Sequence, residues 1–293
     1  NAGSDAWWTA VELPRRARRT GADLIHHPLP ALCPAAPVPQ VVTVHDLAFE
    51  RVPECFDPAF RRWASLTHRA AARHAAVVVC VSRTTLTDVR ARWGVPEERL
   101  VLARHGPGQD VDASRPRSGT SHLLYVGDDE PRKNLRLLLD AHRRLHAQAR
   151  AGGGAPPPLV LAGTARPPGG HQEGVVVVDR PEPRLLASLL ADALALVLPS
   201  LHEGFGLTAL EAMAAGVPVV AARSPGVTET CGDAALYTSR HNPEDLARVL
   251  ARVTGDAALR RDLSERGRRH AAEFSWARAA RAHVQAYNLA LDG

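Results

Sequence analysis

Short, almost uninterrupted apolar runs alternate along the chain with longer amphipathic segments. The apolar runs are rich in Val, Leu and Ala and cover 22–27, 40–46, 75–82, 99–105, 121–127, 158–163, 174–179, 193–200 and 218–223. The amphipathic segments predict helices over 58–75, 83–93, 133–149, 184–193, 207–215, 243–254 and 257–272. Strands that are apolar along their whole length suit a parallel sheet covered on both faces. The alternation therefore predicts an α/β chain with doubly wound parallel sheets.

A polar stretch containing Pro and Gly, residues 111–122, interrupts this alternation. A fresh strand–helix alternation starts at His122, so we place a domain boundary near residue 118. The first domain, 1–118, holds about four predicted strands. The second, 119–275, is expected to be a complete Rossmann-like unit of about six strands.

Composition excludes several classes of protein. Hydrophobic residues make up 45% of the 293 residues, which is enough for sizeable cores and excludes a disordered chain. No run approaches the roughly 20 apolar residues of a membrane helix. The cysteines, Cys33, Cys55, Cys80 and Cys231, have neither C-x-x-C spacing nor a metal-ligand pattern. They indicate a reducing cytoplasm, with Cys80 as a small buried apolar residue.

The chain is basic, with 36 Lys and Arg against 31 Asp and Glu. The excess lies mainly before residue 118 and includes Arg15, Arg16, Arg18 and Arg19. Two interpretations of this cluster stay open: a solvated helix face, or a surface that contacts anionic lipid or a polyanionic substrate. Aromatic residues are only 4% of the chain, too few for a stacking platform, so the charge does not indicate nucleic acid.

The segment with the most chemical content is 198–222, where an apolar strand leads into a Gly-rich turn and a helix. It contains, in order, Glu203, Gly204, Phe205, Gly206, Leu207, Thr208 and Glu211. Such a turn can present backbone N–H groups to an anion, and the helix dipole adds to the attraction. A carboxylate on the helix, Glu211, can accept two hydrogen bonds from a ribose diol. From chemistry alone, a Gly-capped helix with one buried Glu is the competing interpretation.

Two cations follow the strand that ends at Gly127. Arg132 and Lys133 stand at the carboxyl edge of that strand, where α/β proteins bind ligands, and can neutralise a leaving diphosphate without a metal. Lys133 is the only lysine of the chain, which indicates a need for a point charge at this position. A solvated helix N-terminus is the alternative.

Histidines follow two strands of the first domain. His45 stands just after the run at 40–44 and can donate a hydrogen bond to a sugar hydroxyl. His26 and His27 end an earlier strand, where one of them lines a cleft or both are surface residues. A lone His-Asp pair in a loop is also compatible with a purely structural role.

These segments resemble those of the retaining GT-B glycosyltransferases called glycosyl transferases group one. That family carries an E-x7-E motif, here Glu203 and Glu211, inside a P-S-x-x-E-G-F-G-L-x-x-L-E-A-M-A-x-G-x-P-V-V pattern. Its G-x-x-x-P-R-K-N-L pattern matches 127–135, and its T-V-H-D-L pattern matches 43–47. The F-S-W-x-x-x-A pattern matches 274–280 and opens a final helix, 276–293, that packs back toward the first domain in relatives.

The resemblance implies a role for each matched residue. Glu211 would hold the ribose and Glu203 the donor sugar, while the backbone of 204–208 meets the diphosphate. Lys133 would be the phosphate ligand, next to Gly127 in the same loop. His45 would contact the donor sugar. Many relatives carry Arg directly after the Gly, where this chain has Asp128, and Arg132 is the candidate to replace it.

The implied fold is GT-B, two Rossmann-like domains facing a cleft, with an N-terminally truncated first domain. The sequence begins at Asn1, and the resemblance implies that the opening strand and Gly-rich turn of relatives are missing. We expect on the order of 60–80 residues to be missing, the size of two βα units. Those strands would lie centrally and leave a gap in the first sheet.

The expected activity is metal-independent transfer of a hexose, with mannose as a candidate, from a nucleotide diphosphate sugar, with no other cofactor. The acceptor would be a saccharide, lipid-linked or small-molecule hydroxyl, in the cytoplasm or at the inner face of the membrane. Rival hypotheses are a non-catalytic remnant that binds nucleotide or a partner, and a sugar-nucleotide epimerase, against which the E-x7-E spacing argues. A metal-dependent GT-A enzyme would use the D-x-D triplet from Asp110 to Asp112.

Overall fold

The structure is a computed structural model that describes residues 7–108 and 121–293. The chain divides into two compact units. The first unit comprises Asn1–His105 with Ser275–Gly293, and the second comprises Gly106–Phe274. The boundary expected near residue 118 lies outside the described residues.

In the described residues the strands follow the predicted runs closely. They are β1 (Ile25–His27), β2 (Gln40–Val44), β3 (Val77–Cys80), β4 (Leu100–Leu102), β5 (His122–Val126), β6 (Leu159–Gly163), β7 (Val175–Asp179), β8 (Ala193–Leu198), β9 (Val219–Ala222) and β10 (Ala235–Thr238). Each predicted run contains one of the first nine strands. The sequence did not identify β10, a four-residue strand whose two middle residues are only half-buried.

The α-helices of the described residues are α1 (Leu13–Thr20), α2 (Ala48–Arg51), α3 (Pro58–His74), α4 (Arg83–Asp88), α5 (Leu135–Ala151), α6 (Pro183–Ala191), α7 (Leu207–Ala214), α8 (Pro225–Cys231), α9 (Pro243–Gly255), α10 (Ala257–Ala271) and α11 (Trp276–Asp292). A π-helical turn, Val89–Trp93, extends α4 to the end of the helix predicted over 83–93. The arginines of α1 are exposed, which both interpretations of that cluster require.

The first unit is built on a parallel sheet of order β1–β2–β3–β4. Its strands are buried on both sides. One face packs against a cluster that includes Leu47, Phe49 and Trp93, and the other packs against Ala286 and Ala290 of α11. The described strands pair consecutively, so the gap expected in the middle of this sheet is not found.

The second unit has a parallel sheet of order β10–β9–β8–β5–β6–β7. From β5 the chain moves outward through β6 to β7, and from β8 it moves outward in the opposite direction. The strand order therefore reverses between β5 and β8, which is the topological switch point where α/β sheets bind ligands. Tyr125, Leu138, Leu161 and Val197 belong to the buried core that supports this edge. A fully buried side chain of this kind contributes about 1.5–3 kcal/mol.

The described residues include all four cysteines and can be searched for helices that could span a membrane. The four cysteines are free thiols, and burial raises the pKa of Cys80 to about 12. Within residues 7–108 and 121–293, no helix has the length and apolar character needed to cross a bilayer.

Candidate active site

The loops that follow β5 and β8 meet at the switch point of the second sheet. The first loop spans 127–134 and the second 199–206. The backbone N–H of Leu201 donates a 2.8 Å hydrogen bond to the carbonyl of Arg132, which ties the loops together. The sequence predicted each loop separately, and the sheet order brings them together.

Asn134 fixes the geometry of the first loop. It adopts the left-handed conformation, with φ of 54°, between a 3₁₀ turn at Pro131–Lys133 and the start of α5. Its Nδ2 donates to the carbonyls of Pro199 at 3.2 Å and Arg240 at 2.9 Å. The helix predicted from residue 133 thus begins at Leu135, because the left-handed residue separates the turn from the helix.

Glu203 lies at the centre of the site, with only 9% of the residue exposed. Its Oε1 accepts hydrogen bonds from Lys133 Nζ and from Ser200 Oγ, both at 2.7 Å. Its Oε2 lies 3.5 Å from Nη1 of Arg132. Burial raises the pKa of the Glu203 carboxyl, but the combined effect of Lys133, Arg132 and the Ser200 hydroxyl is larger, so the pKa lies below its usual value.

The two cations are both held by carboxylates but remain accessible. Arg132 Nε lies 2.7 Å from Glu130 Oε2, and the Arg132 side chain is 20% exposed. The Lys133 side chain is 17% exposed. An ammonium has three donors, so Lys133 can bind an anion while keeping its bond to Glu203.

The N-terminus of helix α7 follows directly after the second loop. Gly206 precedes the helix with φ of 93°, a conformation that favours glycine. Leu207 and Thr208 form the first turn, where backbone N–H groups lack intrahelical partners. The side chain of Phe205 is buried and packs edge-on against Phe274 at 5.9 Å, so only its backbone is suited to contact a ligand.

Two glycines allow close backbone approaches around these carboxylates. A side chain at Gly226, in the first turn of α8, would collide with the carbonyl oxygen of Glu203. A Cβ at Gly108 would lie 2.7 Å from Oε1 of Glu211 on α7. Sequence reasoning did not assign Gly108 to the site, nor Arg240, whose Nη1 donates to the carbonyl of Leu201 at 3.0 Å.

Asp128 and Gly127 shape the other side of the first loop. The Tyr125 hydroxyl donates to the Asp128 carbonyl at 2.8 Å, and the Thr164 hydroxyl donates to the Asp128 carboxylate. Burial raises the pKa of Tyr125, so the phenol stays protonated and serves as a donor. Gly127 accepts a backbone hydrogen bond from Ala165 at 3.3 Å, and its N–H donates to Ala162 at 3.0 Å.

His45 lies in the first unit, exposed at the carboxyl end of β2. Its Nε2 is 3.0 Å from the carbonyl of Pro28, and its ring stacks on His105 at 5.8 Å. Burial, with smaller effects from His45 and His283, lowers the pKa of His105 to about 4.

The alternative in which both His26 and His27 are surface residues is wrong. His27 is buried, and its Nε2 is 2.9 Å from Oε1 of Gln40. His26 is half-buried and bonded on both ring nitrogens, to Tyr287 Oη at 2.9 Å and Thr43 Oγ1 at 2.8 Å. Both rings are occupied by protein partners.

The D-x-D triplet, Asp110 to Asp112, lies outside the described residues. Among the residues that the structure describes, no group of three or more His, Cys, Asp or Glu side chains is arranged to hold a metal ion.

Comparison with known proteins shows the fold class and the family of the chain. The fold is similar to that of Anabaena HepE, solved in complex with UDP, with a TM-score of 0.74 and 18% identity over 94% of this chain and 81% of that chain. The two α/β units therefore have the GT-B glycosyltransferase fold. The family model for glycosyl transferases group 1 matches residues 109–270, and the chain belongs to that family. A second model, glycosyltransferase family 4, matches residues 2–107.

The chain covers only part of each curated relative described here. The chain is 28% identical to the O-antigen chain mannosyltransferase B of Escherichia coli, over 94% of this chain and 78% of that protein. It is 31% identical to the MMP alpha-(1->4)-mannosyltransferase of Mycolicibacterium hassiacum, over 80% of this chain and 59% of that protein. Across seven curated relatives, including the latter, the chain spans between 24% and 59% of their lengths.

Proposed function

We propose that this glycosyltransferase transfers a hexose, with retention of anomeric configuration and without a metal, from a nucleotide diphosphate sugar to an acceptor hydroxyl. The observation that carries the proposal is the cluster of Lys133, Arg132 and Glu203 at the switch point, beside the N-terminus of α7. Two cations and a helix N-terminus together suit a diphosphate.

In this proposal the second unit binds the donor along the carboxyl edge of its sheet. Glu211 accepts hydrogen bonds from the ribose diol, and the backbone of 204–208 meets the diphosphate. Lys133 and Arg132 neutralise the phosphate charge that grows as the glycosyl bond breaks. Glu203 orients the sugar hydroxyls.

The proposed step breaks the bond between the anomeric carbon and the phosphate oxygen, and forms one to the acceptor oxygen on the same face of the sugar. The acceptor proton passes to the departing phosphate oxygen. His45 of the first unit is proposed to donate a hydrogen bond to the donor sugar. Cationic side chains supply the charge stabilisation that a divalent ion supplies elsewhere.

Mannose is the first candidate for the sugar, because two relatives are named as mannosyltransferases. A polysaccharide or lipid-linked saccharide is the first candidate for the acceptor, since the E. coli relative is named for the O-antigen chain. The proposed setting is the cytoplasm, at the inner face of the membrane, and the free thiols are compatible with it. UDP in the HepE complex makes UDP sugars the first alternative donors to test.

A panel of nucleotide sugars, tested for binding by calorimetry and for transfer or donor hydrolysis in EDTA, tests the proposal. We expect one donor to bind and react with chelator present. Binding of a nucleoside diphosphate without turnover of any donor would instead favour a nucleotide-binding remnant. Activity abolished by EDTA and restored by Mn²⁺ would contradict the metal-free mechanism and direct attention to Asp110 and Asp112.

A further inference from the structure

Helix α3 carries an exposed apolar ridge. Phe60, Trp63 and Leu66 follow one another at intervals of three residues and therefore share one side of the helix. They are 42%, 56% and 74% exposed, respectively. Large apolar side chains this exposed on one helix face indicate contact with an apolar phase or a partner.

The aromatic side chains of the ridge pack against one another and against neighbouring aromatic rings. Phe60 stacks on Phe56 with 6.0 Å between ring centroids and meets the buried Phe49 edge-on at 6.4 Å. Trp63 lies 5.9 Å from Phe60. Because these rings are already ordered, little conformational entropy is lost when they insert into another phase.

A pocket of about 660 Å³ lies beside the ridge and shares Leu66 with it. Arg61, Arg62 and Arg92 line this pocket, and Glu50 is the only acidic residue among its described lining residues. Arg92 lies within salt-bridge distance of Glu50 and also of Asp88, 4.0 Å away, so the positive charges that suit an anionic group are those of Arg61 and Arg62.

The positive charge of the pocket is only partly compensated within the protein. Glu50 Oε1 accepts a 2.7 Å hydrogen bond from the Trp93 indole, and Glu50 Oε2 lies 3.7 Å from Nη1 of Arg92. Arg61 and Arg62 form no ion pair in the described part of the chain. The Nε of Arg61 is buried and has no hydrogen-bond partner among the described residues.

We propose that the α3 ridge and its arginine pocket bind the surface of an anionic lipid bilayer. The aromatic and aliphatic ridge would enter the boundary between headgroups and acyl chains, while the guanidiniums meet lipid phosphates. A free anion explains the pocket but leaves the ridge exposed, whereas a bilayer buries both. This surface is on a different helix from the Arg15–Arg19 cluster, and the inference does not depend on glycosyl transfer.

Sedimentation of the full chain with vesicles tests the proposal. One set contains phosphatidylcholine alone, and the other an equal mixture with phosphatidylglycerol. We expect binding to the anionic vesicles, weakened roughly 20-fold by the double variant Arg61→Gln, Arg62→Gln, since each surface arginine contributes about fivefold. Leu66→Ala and Trp63→Ala should each weaken it at least about fivefold. Inorganic phosphate at matched ionic strength should not compete.

The matched control is the double variant Arg184→Gln, Leu185→Ala on α6, which changes the same residue types at exposed positions of the second unit. It should bind like the unchanged protein. No binding to anionic vesicles, equal binding to both vesicle types, or an equal loss in the control would overturn the proposal. A change in the sedimentation coefficient of lipid-free protein with Leu66→Ala would also overturn it, because the ridge would then join two copies of the chain.

Discussion

Lys133 Nζ lies 2.7 Å from Glu203 Oε1, although 70 residues separate them along the chain. They meet because β5 and β8 are neighbours in the sheet, while the next strand along the chain, β6, pairs with β5 on its other side. The cation proposed to bind the phosphates is therefore in direct contact with the carboxylate proposed to bind the sugar. Any change in one therefore alters the electrostatic surroundings of the other.

Lys133→Ala should weaken binding of a nucleoside diphosphate by about 1.5–3 kcal/mol, the range for hydrogen bonds to charged groups. The nucleoside alone should bind almost as well as before, because in our proposal the only part of the ligand that the ammonium contacts is the diphosphate. Titration calorimetry of both ligands measures the difference.

Arg136→Ala is the control for that variant, since Arg136 is exposed on the following helix turn. It removes the same charge and should leave both affinities nearly unchanged. Equal losses for nucleoside and nucleoside diphosphate in Lys133→Ala would show that Lys133 supports the loop rather than the phosphates.

The pKa of Glu203 predicts how stability depends on pH. Because the folded pKa lies below the unfolded value of about 4.3, ionised Glu203 adds stability that is complete above that value. This contribution is lost as the pH falls through the folded pKa. Glu203→Gln should lower the free energy of unfolding at neutral pH by about 1–3 kcal/mol, and the deficit should shrink in acid.

Urea unfolding of the full chain, at a series of pH values from neutral to about 3, measures this dependence. Glu182→Gln, at an exposed position of the same unit, should show no such deficit. A constant deficit at every pH would mean that the charge of Glu203 does not stabilise the fold.

The sequence predicts the strands well because they are continuous apolar runs. The roles proposed for Glu203 and Glu211 rest on the motif that they resemble. It does not predict the contacts that bring Lys133, Ser200 and Glu203 together, because those depend on the order of strands in the sheet. The left-handed conformation of Asn134 is likewise required by two carbonyl partners distant in the chain. Propensity and periodicity describe local structure, and these features are not local.

Gly108→Ala should disturb Glu211 without altering α7 itself. The new Cβ would lie 2.7 Å from Oε1, so either the carboxylate or the loop must move. We expect nucleoside binding to weaken by about 1–2 kcal/mol, measured by calorimetry. Adding Gly108→Ala to Glu211→Ala should weaken nucleoside binding little further, since both substitutions act through the Glu211 carboxylate.

Gly255→Ala is the matched control, because a Cβ there meets no atom within 4 Å. It should bind nucleoside normally. Fully additive losses in the double variant would show that Gly108 acts independently of Glu211.

Glu211 and Glu203 should separate into two kinetic roles. The ribose is present in both substrate and product nucleotide, so Glu211→Ala should weaken binding of nucleotide sugar and nucleoside diphosphate alike. Glu203 is proposed to contact the sugar, which only the substrate carries. Glu203→Ala should therefore reduce kcat for transfer while leaving nucleoside diphosphate affinity nearly intact, since Lys133 remains available to phosphate.

Steady-state kinetics and calorimetry on both variants distinguish a sugar-binding role for Glu203 from a structural role in which it only holds the loop. The hydrogen bonds from Ser200 and Lys133 to Glu203 make bracing a physical alternative. If Glu203 only holds the loop, Glu203→Ala should impair nucleoside diphosphate binding as much as Glu211→Ala does. Retained affinity with reduced transfer is the outcome that assigns Glu203 to the sugar.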